Sequence, residues 1–142
     1  VAGAEALGFS AMSNGNTFIY PFALNSGADI SAGATQWFND NYQTMVGSSL
    51  YPYTGWGNGI NPVENKYLGL RFNISGETHY GWAKFSHVDV ETEPDVSGNI
   101  ILESYYYNPN SEDPIQAGQT KPLSVRDNVF MNLKVITNNK TN

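Results

Sequence analysis

The sequence predicts an all-β protein, built as an antiparallel β-sandwich or a jelly-roll-like fold, and three observations lead to this prediction. Short runs rich in apolar and aromatic residues recur along the chain, with clusters of Gly, Asn, Pro and Ser between them. Aromatic residues make up 13% of the 142 residues and charged residues only 14%, a composition typical of strands and turns. Helix signals are weak throughout, so the chain lacks the crossover helices that a parallel sheet needs.

The N-terminal part of the chain predicts a β-hairpin. Residues 7–12 and 17–24 are two strand-like runs, and Asn14-Gly15 lies between them. A type I′ turn needs positive φ at both central residues, and Asn-Gly is a preferred pair for it.

Less regular structure is predicted for the segments that follow. Residues 29–33 are typical of a short exposed strand or loop. Residues 37–46 are the one helical candidate, a weak one, because Asn, Thr and aromatic residues have low helix propensity. Residues 48–64 have no usable period and predict a long loop with three aromatic rings. Long ordered loops in compact domains are often functional.

The clearest prediction is a second hairpin over residues 67–86. In its first arm, 67–74, apolar residues alternate with other residues, which predicts a strand with one apolar face. Residues 75–78 turn the chain, and 79–86 return as the second arm. Three further runs are strand-like: 99–107, the short edge segment 113–118, and 130–136.

Charge and cysteine content exclude several classes of function. The net charge is −6, from 13 acidic and 7 basic residues, which argues against nucleic acid and against an anionic membrane surface as partners. The chain has no cysteine, so disulfides, thiolate metal sites and a cysteine nucleophile are excluded. No apolar run approaches the roughly 20 residues of a membrane span. Because the chain begins with Val1, we expect a processed or partial chain, with its N-terminal part open to extension.

Four motifs follow one another in the second half of the chain. They are Tyr67-Leu68-Gly69-Leu70-Arg71-Phe72, His79-Tyr80-Gly81-Trp82-Ala83-Lys84, Tyr105-Tyr106-Tyr107 and Pro114-Ile115-Gln116-Ala117-Gly118. In this order they resemble a group of bacterial secreted and surface β domains, including PEP-CTERM types, with the pattern Y-x-G-F-x-F, Y-G-W-A/V and P-I-x-A-G. The resemblance implies export to the cell surface or the medium and leaves the biochemical activity undefined.

A second resemblance concerns the end of the chain. Leu123-Ser124-Val125, followed by the run from Phe130 to Asn139, resembles the opening of a type IX secretion sorting domain of Bacteroidetes. That opening reads L-S-V and then F-x-x-x-x-V-Y-P-N-P, and Ile136-Thr137-Asn138-Asn139 stand here in place of the last four residues. We therefore divide the chain into residues 1–120, a β-sandwich domain, and residues 121–142, a C-terminal tail that starts a sorting segment.

Aromatic residues in and near the irregular segments are the candidate ligand-binding residues. They are Trp37, Tyr51, Tyr53 and Trp56, with Tyr42 in the same set. Trp and Tyr rings stack on the apolar faces of sugars, and the neighbouring Asn and Gln side chains bond hydroxyl groups. This set predicts a platform for surface glycans. The alternative is that the rings cover the core, because large rings dominate burial in any β domain.

Alternating acidic residues form a candidate metal site. Asp89, Glu91, Glu93 and Asp95 would project to one face of an extended strand, and calcium is the cation that prefers such oxygen ligands. The alternative is a solvated edge that blocks aggregation between strands. The Asn39-Asp40-Asn41 segment is a second oxygen-rich candidate.

The two histidines offer one catalytic alternative, a general base at His79 near Glu77 in the turn. His79 and His87 would lie about 26 Å apart on one strand, too far to share a metal. We expect His79 to be a surface residue that packs beside Tyr80. No Gly-x-Ser-x-Gly motif is present.

Three functions remain open on the sequence. The first is a secreted or cell-surface, non-catalytic module for adhesion or glycan binding. The second is a structural subunit that assembles with other copies through edge strands into a surface layer or filament. The third is a polysaccharide hydrolase, which needs two facing carboxylates that no spacing in the sequence pairs.

Overall fold

The computed structural model describes residues 3–13, 15–34, 36–39, 42–46, 55–57, 61–91 and 97–122. These residues form eight β-strands and no helix, and the predicted all-β antiparallel fold is confirmed. The strands are β1 (Ala4–Ser13), β2 (Asn16–Pro21), β3 (Asp29–Ile30), β4 (Trp37–Phe38), β5 (Val63–Ile74), β6 (Glu77–Glu91), β7 (Ser97–Tyr107) and β8 (Ile115–Gln116).

Five strands follow one another in the main sheet in the order β2-β1-β5-β6-β7, and the short strand β4 also pairs with β1. β3 and β8 form a second, two-stranded sheet, and every pairing is antiparallel. Ile30 of β3 and Ile115 of β8 are buried in one cluster with Tyr67, Tyr80 and Trp82 of the main sheet. The small sheet thus covers one face of the main sheet in a sandwich-like arrangement.

The predicted second hairpin is confirmed and extends beyond residues 67–86. β5 and β6 pair from Val63 opposite Val88 to Ile74 opposite Glu77. Ser75 and Gly76 form the turn between them, with φ of 53° and 91°, as a type I′ turn requires. The Asn73 side-chain oxygen accepts a hydrogen bond from the Gly76 N–H at 2.7 Å and fastens this turn.

β1 and β2 form the predicted N-terminal hairpin, with Ser13 opposite Asn16. Gly15 has the expected positive φ, 77°, while Asn14 lies outside the described residues. β2 ends at Pro21, before the predicted residue 24, and proline has no N–H with which to continue a ladder.

The burial of β5 differs from the predicted pattern. The apolar face that ends at Ile74 is half-buried or exposed, whereas Tyr67 and Gly69 on the opposite face are buried. The reason is that the small sheet packs on the Tyr67 face, where Gly69 leaves room for it. A Cβ atom at Gly69 would lie 3.1 Å from Leu24 Cδ1 and 3.5 Å from Ile30 Cγ1.

Three segment predictions are modified by the structure. In the weak helical candidate, 37–46, Trp37 and Phe38 form β4 beside β1. The segment 29–33 contains β3, and its predicted exposure is wrong for Ile30, which is fully buried. The predicted loop 48–64 is shorter at its end, because β5 begins at Val63.

Candidate functional site

Trp37, the first candidate glycan-binding residue, is half-buried in β4 and already has partners at its ring. The Arg71 guanidinium lies over the ring, 4.9 Å from its centroid, and the Tyr80 ring lies 6.0 Å away. Arg71 is oriented by Glu5, whose Oε2 accepts a hydrogen bond from Arg71 Nε at 2.5 Å. This cation–π stack occupies part of the surface that a sugar would need.

Trp56, the second described candidate, is a core residue. Its exposed fraction is 0%, its Nε1 donates a hydrogen bond to the Pro21 carbonyl at 2.9 Å, and its ring meets Phe85 edge-on at 5.2 Å. The expectation that Trp56 presents a ring face to solvent is wrong. A tryptophan buries more apolar surface than any other side chain, and here a carbonyl satisfies its N–H.

The candidate residues are not brought together into one platform by the described chain. Trp56 contacts Pro21 and Phe85, while Trp37 contacts Arg71 and Tyr80. Tyr51 and Tyr53 lie outside the described residues. Tyr42, from the same aromatic set, is 92% exposed and is free to meet a ligand.

A surface groove of about 440 Å³ lies beside the Arg71–Glu5 pair. Tyr80, Thr78 and Glu112 line another part of it. The Glu5 carboxylate is bonded to Arg71, and Glu112 Oε1 accepts a hydrogen bond from the Thr78 N–H at 3.3 Å. Glu5 thus links β1 to β5, and Glu112 links the turn after β7 to the start of β6, which leaves both carboxylates poorly placed for acid–base chemistry.

The acidic row predicted to bind calcium lies only partly within the described residues. Asp89 and Glu91 are among the last residues of β6, and Glu93 and Asp95 lie outside the described residues. Asp40 of the second oxygen-rich candidate also lies outside them. His87 lies 3.6 Å from Glu64 and 3.9 Å from Asp89. Among the described residues, no three Asp, Glu, His or Cys side chains are grouped so that they could hold a metal ion.

The predicted surface position of His79 is wrong. The side chain is buried, with 5% exposed, and its Nδ1 lies 2.9 Å from the Asn108 carbonyl oxygen. Because a carbonyl only accepts, Nδ1 carries the proton in this bond. Phe72 stacks on the ring and Tyr107 meets it edge-on, so His79 has a structural role between β5, β6 and β7.

An exposed apolar strip on β7 is the feature that the sequence reasoning missed. Five side chains of this strand stay between 41% and 76% exposed: Ile100, Ile101, Leu102, Tyr105 and Tyr107. The sequence signal for this strip was the run of three consecutive apolar residues, 100–102. Adjacent residues of a strand point to opposite faces, so such a run places apolar side chains on both faces of the sheet. A sheet edge with such a strip is a typical site for protein contacts.

No helix in the described ranges is long and apolar enough to cross a membrane. The chain matches no known family model, and neither the curated proteins nor the solved structures yield a significant match.

Proposed function

We propose that this protein is a non-catalytic structural module that assembles with protein through the exposed edge of strand β7. The exposed apolar strip at residues 100–107 carries the proposal. Strand addition to an open sheet edge obtains its affinity from main-chain hydrogen bonds and its specificity from alternate side chains. Of the three functions left open by the sequence, assembly through an edge strand is the one that this strip favours.

The composition of β7 supports the same proposal. Natural edge strands are usually protected by lysine, proline, bulges or short length. β7 has eleven residues and neither lysine nor proline, and its single charged side chain, Glu103, bonds Lys84 Nζ at 2.8 Å. The pairing of β6 with β7 is irregular near Phe85. Of the features that usually protect an edge strand against further pairing, β7 has this bulge alone.

Sedimentation velocity over a range of protein concentrations tests the assembly. Leu102→Lys should abolish a concentration-dependent increase in sedimentation coefficient, because it places a charge in the middle of the strip. Thr17→Lys, at an exposed position of β2 at the other side of the sheet, is the matched control and should behave like the unmodified protein. Association that survives Leu102→Lys would refute the proposal.

Glycan contact is a second proposal, supported by the 92% exposure of Tyr42 and by the exposed Asn39, which precedes it by three positions in the sequence. By analogy with bases stacked on aromatic side chains, Tyr42→Ala should weaken sugar binding by about 1–3 kcal/mol on a glycan array. Tyr51→Ala and Tyr53→Ala extend the test to the other candidates. A glycan signal that none of the three variants lowers, or no signal at all, would remove this proposal.

Export to the cell surface or the medium is part of the proposal as well, and it rests on the two sequence resemblances. A location outside the cell is compatible with an assembling module, because neighbouring copies meet at high local concentration on a surface. The experiment on the tail given in the Discussion tests this location.

A further inference from the structure

The charged side chains of the surface groove beside the Arg71–Glu5 pair are each fixed at one polar atom and unengaged at another. Arg71 Nε donates to Glu5 Oε2, and both side chains remain 29% exposed. Glu112 Oε1 accepts the Thr78 N–H, and the Glu112 N–H donates to the Thr78 carbonyl at 2.8 Å. Within the described part of the chain, Glu5 Oε1, Glu112 Oε2 and the Nη atoms of Arg71 have no hydrogen-bond partner. Charged groups that are already held in place lose less conformational freedom when a ligand binds.

Two uncharged side chains, Asn73 and Thr78, add hydrogen-bonding groups to the same groove. Asn73 Oδ1 accepts the Gly76 N–H, while the Asn73 amide nitrogen has no partner among the described residues. The same holds for the Thr78 hydroxyl group. Since an amide nitrogen donates and a hydroxyl group both donates and accepts, the groove offers donors as well as acceptors.

Tyr80, which also lines the groove, gives a second and independent indication of a ligand. Its side chain is 2% exposed, and a buried tyrosine hydroxyl group usually has a hydrogen-bond partner. None of the described residues bonds this hydroxyl group. The side-chain polar atoms that are sealed from solvent without a partner in the described ranges are Trp37 Nε1 and Gln43 Oε1. The Tyr80 hydroxyl group therefore reaches the surface, and the groove is the surface that Tyr80 lines.

The charges of the groove select the class of ligand. One guanidinium lies among two carboxylates, and the chain has a net charge of −6, so an anionic ligand is disfavoured. A cationic ligand would meet the Arg71 guanidinium. An uncharged ligand with several hydroxyl groups can accept from Arg71 and donate to Glu5 and Glu112, because each hydroxyl group does both. The volume of about 440 Å³ is within the roughly 300–1,000 Å³ of small-ligand sites.

We infer that this groove binds an uncharged sugar residue of a glycan through hydrogen bonds to Arg71, Tyr80 and Glu112. Trp37 acts here through Arg71. Its ring lies against the guanidinium, 4.9 Å from the ring centroid, and such stacking leaves the N–H groups in the guanidinium plane available to a ligand. The inference is independent of assembly through β7 and of the glycan contact proposed at Tyr42, because it concerns other residues.

An array of neutral glycans, acidic glycans and glycans with free amino groups tests the site, followed by titration of the glycan with the strongest signal. Tyr80→Phe should weaken binding of a neutral glycan about three- to tenfold, because it removes one hydroxyl group and keeps the ring. Glu112→Gln, at an exposed position, should also weaken binding, because it replaces an unengaged acceptor. Tyr105→Phe, at a 76% exposed position of β7, is the matched control and should bind like the unmodified protein. Urea unfolding checks that each variant is folded.

The outcomes separate the groove from the other proposals. Binding that Tyr80→Phe and Glu112→Gln weaken and Tyr42→Ala does not would support the groove. Binding that Tyr42→Ala weakens and both groove variants leave unchanged would overturn the groove while glycan contact at Tyr42 stands. Signals confined to acidic glycans or to glycans with free amino groups would overturn the assignment of an uncharged ligand. The absence of any glycan signal would overturn the inference and leave assembly through β7 untouched.

Discussion

Trp56 lies in a Gly-rich irregular segment, where a large ring either covers the core or projects into solvent. The sequence leaves both outcomes open because the neighbours of the segment come from distant positions. Pro21 supplies the carbonyl that accepts the indole N–H, and Phe85 supplies the ring that packs against it. The buried outcome is reached because both partners are present where the Trp56 side chain lies.

Substitution of Trp56 should therefore affect stability and not sugar binding. Trp56→Ala removes a fully buried ring and should lower the free energy of unfolding by about 3–5 kcal/mol. Trp56→Phe keeps most of the ring but leaves the Pro21 carbonyl unpaired, at a cost of about 1–3 kcal/mol. Urea unfolding measures both changes, with the exposed Tyr42→Ala as a control that stays within about 0.5 kcal/mol. An unchanged unfolding midpoint for Trp56→Ala would contradict the buried assignment.

The Lys84–Glu103 pair makes stability depend on pH in the alkaline range. The hydrogen bond to Glu103 raises the pKa of Lys84 above its ordinary value of 10.5. A raised pKa in the folded state stabilises the protein below the unfolded pKa, and this contribution is lost as pH rises through the folded pKa. Glu103→Gln should therefore be less stable than the unmodified protein near neutral pH, by a small amount because the pair is exposed.

The measurement is urea unfolding of both proteins at a series of pH values. The difference in unfolding free energy between them should shrink to zero once Lys84 is deprotonated. A difference that stays constant across this range would mean that Glu103 stabilises β7 in some other way.

At the level of strands, β6 and β7 show how pairing sets the exposure of the acidic row. Asp89 pairs with Asn99 and Glu91 with Ser97 at the end of the β6–β7 ladder. Gly98 has φ of 133°, and a Cβ atom there would come within 1.9 Å of the Asp89 carbonyl oxygen. The ladder at this end thus requires glycine, and it directs two of the four predicted calcium ligands toward solvent.

Calcium binding by residues 89–95 stays a prediction. If the four carboxylates bind the ion together, calorimetric titration with Ca²⁺ should give one site of roughly 10⁻⁴–10⁻³ M, the range of extracellular modules. The double substitution Asp89→Asn and Glu91→Gln should abolish the heat, while Glu112→Gln, away from the row, should not. A titration without heat would favour the alternative of a solvated edge.

At the level of the whole molecule, the last described residues are fastened to the sheet. The Gln119 carbonyl accepts a hydrogen bond from Trp82 Nε1 at 2.8 Å, and Gln119 Nε2 donates to the Lys121 carbonyl at 2.5 Å. The first bond holds Gln119 on the covered face of the main sheet, and the second fixes the local conformation of residues 119–121. A cut after Pro122 removes the rest of the tail and leaves them intact.

Deletion of residues 123–142 should separate stability from export. We expect a small change in the free energy of unfolding, because a sorting segment must be recognised apart from the folded domain. Surface display of the full-length protein in its native host should be lost. Normal display after the deletion would remove the type IX assignment, and a large loss of stability would mean that the tail belongs to the sandwich.

The sequence by itself determined the features that depend on neighbouring residues. Strand alternation predicted the hairpin of β5 and β6, and Asn14-Gly15 predicted that of β1 and β2, because turn chemistry and period two act within a few residues. Only the tertiary structure decided that Trp56 and His79 are buried, that the Tyr67 face of β5 is the covered one, and that β6 is the one strand neighbour of β7 among the described residues. Those outcomes depend on which distant segments meet, such as Pro21 with Trp56, Asn108 with His79, and Ile30 with Gly69. Contacts of this kind are set by the packing of the whole chain, and no local pattern records them.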